Sequence, residues 1–78
     1  GTRGEGSMGV SVEAQVTGRV VRVEKNVGDL VAIEDTILVL ESMKMEIPVE
    51  APNAGSVSEI RVAEGDNVEE GDILAVLD

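Results

Sequence analysis

The sequence predicts an all-β domain, a flattened barrel or sandwich made from two copies of one unit. Three observations carry this. Val, Ile and Leu supply twenty-four of the 78 residues, and fourteen of those are Val. β-branched side chains lose χ1 freedom in helices and suit a pleated surface. Residues 10–41 slide by 37 positions onto 47–78 without a gap, giving eleven identities in thirty-two. Background composition would give roughly two or three. Finally, no apolar pattern at i, i+3, i+4, i+7 lasts three turns, so no helix beyond a turn or two is expected.

The elements follow in order. Residues 1–7 lack periodicity and read as a cloning scar or disordered tail, with Met8 as the native start and 8–78 as the domain. Val10, Val12, Ala14 and Val16 share one face, opposite Ser11, Glu13 and Gln15. That period of two is a half-buried strand. Val20 and Val23 are spaced by three, as are Val57 and Ile60. A β-bulge at the same place in each copy explains both. Gly28-Asp29, Gly65-Asp66 and Gly71-Asp72 are turn signals. The apolar runs 37–40 and 73–77 read as buried strands. Pro48 and Pro52 bracket the first strand of the second copy, which suits an edge position or strand ends. A copy of about thirty residues cannot bury a core alone. Two copies facing each other can, with about eight short strands between them.

Composition excludes several functions. There is no His and no Cys, so Ser-His-Asp and Cys-His catalysis and ordinary zinc, haem and iron–sulfur sites are out. Sixteen acidic residues against six basic ones give a net charge of −10. That opposes binding to a phosphate backbone, and without aromatics there is no stacking platform. No nucleic-acid partner is therefore expected. No run approaches the roughly 20 apolar residues of a bilayer span, so no membrane partner is expected either. The acidic clusters at 64–67 and 69–72 lack EF-hand spacing and read as solvated turns.

The repeat leaves 42–46 over: Ser42, Met43, Lys44, Met45 and Glu46. A short link between two strong strands is most simply a hairpin, with Lys44 at its tip near the pseudo-two-fold axis. Lys25 is the only other lysine. Burying both methionines is difficult, because positions i and i+2 of a strand point the same way. Exposed apolar residues around a lone cation mark a surface that something else reads. The bland alternative makes Lys44 a solvated turn residue and the methionines core filler. Placement at the repeat junction argues against it.

The segment Glu41-Ser42-Met43-Lys44-Met45-Glu46 resembles the biotin attachment motif of biotinyl carrier domains, usually Ala-Met-Lys-Met. Val62, Gly65-Asp66, Val68, Gly71-Asp72 and Leu74 resemble that family's second-half signature. The resemblance runs from Val10 to Asp78. It implies two four-stranded antiparallel sheets, with biotin attached covalently to Lys44 on the hairpin between strands four and five. It also implies no catalysis by the chain itself. A biotin protein ligase would supply biotinyl-adenylate and would have to deprotonate Lys44, because an ordinary lysine is protonated at neutral pH. Met43 and Met45 would be the ligase's apolar contacts. Ser42 stands where Ala is commonest, and Glu41 and Glu46 would either screen Lys44 or be read by the ligase. The implied partners downstream are a biotin carboxylase and a carboxyltransferase. A cytoplasmic monomer is expected in isolation.

Two details depart from or qualify the pattern. The Pro-containing thumb insertion of some members is absent. Glu34 stands where the second copy has Gly71: if Gly71 takes a positive φ, Glu34 either uses another turn type or costs on the order of 1 kcal/mol. Two alternatives remain in view. One is a lipoyl carrier using the same lysine, against which the Met pair argues, since lipoyl domains usually have Asp-Lys-Ala. The other is a structural module like the barrel-sandwich hybrids of membrane-fusion adaptors, which normally sit between long helices.

Overall fold

Alternation, Gly-Asp turns and apolar runs place eight strands in the computed structural model, which describes residues 9–78. The reading of residues 1–7 and Met8 lies outside the described residues. The strands are β1 (Val10–Glu13), β2 (Gly18–Val23), β3 (Leu30–Val31), β4 (Thr36–Ser42), β5 (Met45–Glu50), β6 (Gly55–Ile60), β7 (Asn67–Val68) and β8 (Ile73–Leu77). Adding 37 maps β2 onto β6 and β3 onto β7 residue for residue. The described residues contain no helix, and hence none long and apolar enough to cross a membrane.

Two four-stranded antiparallel sheets result, ordered β1-β8-β6-β3 and β5-β4-β2-β7. The repeat operation turns one order into the other. The copies interleave rather than facing each other as blocks: each sheet takes two strands from each copy. Within a copy only β2 and β4, or β6 and β8, pair with each other, and every other pairing crosses between copies, so a unit of this size completes neither its sheets nor its core without its duplicate. The two sheets do not close into a barrel: β1 and β3 are the edge strands of one, β5 and β7 of the other. Pro48 lies inside β5 rather than at its end, and of the two options the sequence left open, an edge position or a strand end, the structure takes the edge. An edge strand accepts it because one side of its backbone has no ladder to complete.

Both bulges occur as the spacing predicts. The register shifts between Val20 and Arg22 opposite β4, and between Val57 and Glu59 opposite β8. Each extra residue lets two side chains three apart reach the interior. Val20 and Val57 are buried, and Val23 and Ile60 pack against the core.

The core is symmetric side chain by side chain. Val12 and Val49, Val20 and Val57, Val31 and Val68, Ile37 and Leu74, and Leu40 and Leu77 are buried pairs related by the repeat. No charged or polar residue is buried among the described residues. Four turns of one design close the strands. In each, an Asp Oδ2 accepts the backbone N–H three residues earlier, at 2.8–2.9 Å, from Asn26, Ala32, Ala63 or Glu69. The Asp backbone N–H returns a bond to the same residue's carbonyl, at 2.9–3.1 Å. These contacts occupy the carboxylates of Asp66 and Asp72 in the acidic clusters.

Candidate functional site

The hairpin between the copies is tighter than the five residues the repeat leaves over. Ser42 pairs with Met45, and Glu41 with Glu46, so the ladder continues to the last residue before the turn. Only Met43 and Lys44 form the turn, with φ of 53° and 66°. Positive φ at both central residues is the two-residue turn whose twist matches the flanking strands. Asn and Gly are the usual occupants. A side chain in this left-handed region costs roughly 1–2 kcal/mol per residue. The hairpin is therefore built on an unfavourable pair, held by the strands on either side.

This geometry corrects one argument about the methionines. Met43 sits in the turn rather than on a strand, so the same-face rule does not relate it to Met45. Both are nonetheless exposed, Met43 at 91% and Met45 at 61%. They are not core filler. Lys44 is exposed between them, and its side chain has no ion pair or hydrogen bond among the described residues.

The flanking glutamates pair with arginines rather than with Lys44. Glu41 Oε1 accepts a hydrogen bond from Arg19 Nη2 at 3.2 Å, and Glu46 Oε1 accepts one from Arg22 Nη2 at 3.2 Å. Arg22 also donates from Nε to Glu24 at 3.1 Å. That bond, and then the one to Glu46, hold its guanidinium above its ordinary pKa. Glu41 and Glu46 stand directly opposite each other, where like charges repel. Two arginines of β2 offset that repulsion. Sequence reasoning missed Arg19 and Arg22 because the contact runs across a sheet between residues 22 and 24 positions apart.

Gly18 lets β2 approach the base of the hairpin. A methyl group there would overlap the backbone oxygen of Glu41. Ser42 is half-buried beside it. A shallow groove runs from this base past Thr17 and Met43 to Asn67 and Glu69. Chemically, the site offers one thing, a primary amine in solvent on a rigid mount, flanked by two apolar contacts. None of the six motif residues is displaced from the others; Glu41 through Glu46 all lie within this one hairpin.

Comparison with known proteins agrees with this construction. The family model for the biotin/lipoyl domain, described as biotin-requiring enzyme, matches residues 5–77. The chain is 43% identical over 70 residues to the biotinylated protein TB7.3 homolog of Mycobacterium leprae, covering 90% of this chain and 99% of that one. It is 41% identical over 68 residues to the biotin/lipoyl attachment protein of Bacillus subtilis, covering 87% and 93%. The crystal structure of the Kluyveromyces lactis urea carboxylase superposes with a TM-score of 0.89 at 33% identity. That match covers 96% of this chain and only 7% of the carboxylase chain, so domains of this kind also sit inside much larger carboxylases. The repeat, the interleaved sheets and the match along nearly the whole length agree, and the chain belongs to the biotin/lipoyl attachment family as a non-catalytic carrier domain.

Proposed function

We propose that residues 8–78 carry biotin on Lys44 and present it to a biotin carboxylase and then to a carboxyltransferase. The observation that carries this reading is the turn itself. It is a strained two-residue tip holding an unpartnered amine in solvent between two exposed methionines. The chemistry of attachment needs only that amine. Lys44 Nζ, deprotonated by the ligase, forms an amide with an adenylated biotin carboxyl; the carbon–oxygen bond to AMP breaks and AMP leaves. Met43 and Met45 offer the ligase apolar contacts, while Glu41, Ser42 and Glu46 fix the base of the turn. Bound biotin supplies the group that accepts and releases a carboxyl. The chain's own contribution is tethering, which holds that group at high effective concentration near its partners. The names of the relatives support biotin, since one is described as a biotinylated protein.

Intact mass spectrometry after incubation with a biotin protein ligase, ATP and biotin tests the assignment. The parent gains one biotinyl group and Lys44→Arg gains none, because the guanidinium keeps the charge but is not a usable nucleophile. Labelling that persists in Lys44→Arg would place the site elsewhere. If the folded parent takes no biotin but is labelled by a lipoate ligase, the carrier is a lipoyl carrier. In that case Met43→Asp with Met45→Ala should increase lipoylation.

A further inference from the structure

The internal repeat supplies its own control for what the fold requires. Gly28 and Gly65 both take positive φ, at 96° and 93°. Asp29 and Asp66, and Asp35 and Asp72, close matching turns. Val31 and Val68 both point inward. The exposed positions between these fixed points differ. In the second copy they are Glu64, Asn67 and Glu70. In the first they are Val27, Leu30 and Ile33, exposed at 61%, 81% and 61%. The second copy shows that the turns and the strand form without an apolar residue at any of the three. Three apolar side chains left in water within seven residues mark a contact surface.

The surface has a definite place. β3 is the edge strand beside β6, at the end where Leu77 pairs with Val57 and the Asp78 N–H donates to the Ser56 carbonyl. β4 starts at Thr36, just after this segment, and ends at the Lys44 turn. At strand rise its seven residues span roughly 23 Å. The apolar surface and Lys44 therefore lie at opposite poles.

Charge narrows the occupant. Residues 24–35 contain Glu24, Asp29, Glu34 and Asp35 against Lys25 alone, in a chain of net charge −10. A second copy would bring like charges together. Three side chains also fall far short of the roughly 800 Å² per partner in a standard interface. Anionic lipid would be repelled. A protein pocket with an apolar floor and a Lys/Arg rim fits, bound weakly and steered by charge.

We propose that Val27, Leu30 and Ile33 form a second docking surface, by which such a pocket on the biotin carboxylase holds the carrier body while the Lys44 pole stays free. This rests on the carrier reading above. The test uses the full biotinylated chain with the biotin carboxylase of its own organism, ATP and bicarbonate. The variant Val27→Glu, Leu30→Asn, Ile33→Glu installs the second copy's residues. Its KM as carrier should rise about tenfold, with kcat and the rate of biotinylation unchanged. The added negative charge favours a basic rim, so weaker binding reports the lost apolar contact. The parent's KM should also rise with salt. Leu30→Asn alone, at the most exposed of the three, should shift KM in the same direction if the triple variant folds poorly. A KM within twofold of the parent in both variants overturns the proposal. So does a parent dimer that the variant dissociates, or vesicle binding that it abolishes. A parent that accepts no biotin fails the carrier reading first, before any variant is compared, and removes this proposal with it.

Discussion

Glu34 holds a φ of 74° at the position where its repeat mate Gly71 holds 93°. Their N–H groups make the same bond, Glu34 to the Ala51 carbonyl at 2.8 Å and Gly71 to that of Ala14 at 2.9 Å. The turn dictates the backbone, and Glu34 adopts it at a cost. At Gly71 a Cβ would meet nothing within 4 Å, so that cost is conformational rather than a clash. Glycine at position 34 relieves it but adds freedom to the unfolded chain. The expected net is a gain of about 0.5–1 kcal/mol for Glu34→Gly and a similar loss for Gly71→Glu. In a domain this small that moves Tm by about 2–8 °C, measurable by thermal circular dichroism. A destabilised Glu34→Gly would mean that its side chain does something the hydrogen bonds do not reveal. The sequence exposed this mismatch through the repeat alignment, but only backbone geometry could say which of the two ways out the chain takes.

At the scale of elements, the hairpin and the chain ends are two poles that the repeat operation exchanges, so Lys44 lies at a pole and not near the pseudo-two-fold axis where the sequence reading placed it. Gly18 sits against the Glu41 carbonyl at the hairpin pole, and its mate Gly55 sits against that of Asp78 at the other. Alanine at either should force the paired strand away and cost about 1–3 kcal/mol, equally in urea unfolding. The two variants should separate on function. Gly18→Ala also shifts the base of the Lys44 turn and should slow ligation in proportion to that displacement, whereas Gly55→Ala should leave the ligation rate unchanged. Equal ligation defects in both would show that the ligase reads the whole body rather than the hairpin. The strands, both bulges and the hairpin were legible in the sequence because period and spacing are local. The two-residue turn was not, because its length depends on how far the cross-strand ladder runs, and Ser42 and Met45 extend it.

Across the whole molecule, charge opposes folding more than it helps. Among the described residues, four ion pairs join Arg19, Arg22 and Arg61 to glutamates, all with side chains at least 41% exposed. Exposed pairs of this kind contribute little, and a net charge of −10 on so small a body repels itself. Tm should therefore rise when NaCl increases from about 20 to about 200 mM, as the screening length falls to about 10 Å or less. A fall in Tm over that range would mean the ion pairs outweigh the repulsion.

The sequence alone determined the all-β class, the eight-strand count, the two-fold repeat and the hexapeptide around Lys44. Each is written in local chemistry: β-branched composition, period two, Gly-Asp turns and a gapless offset of 37. Tertiary structure decided how the copies combine. They interleave, because each sheet needs two strands of each copy to complete its ladder. It also assigned Glu41 and Glu46 to Arg19 and Arg22, leaving Lys44 unpartnered, and set Val27, Leu30 and Ile33 at the far pole. These facts depend on register between segments distant in the chain, and only the folded pairing fixes that register.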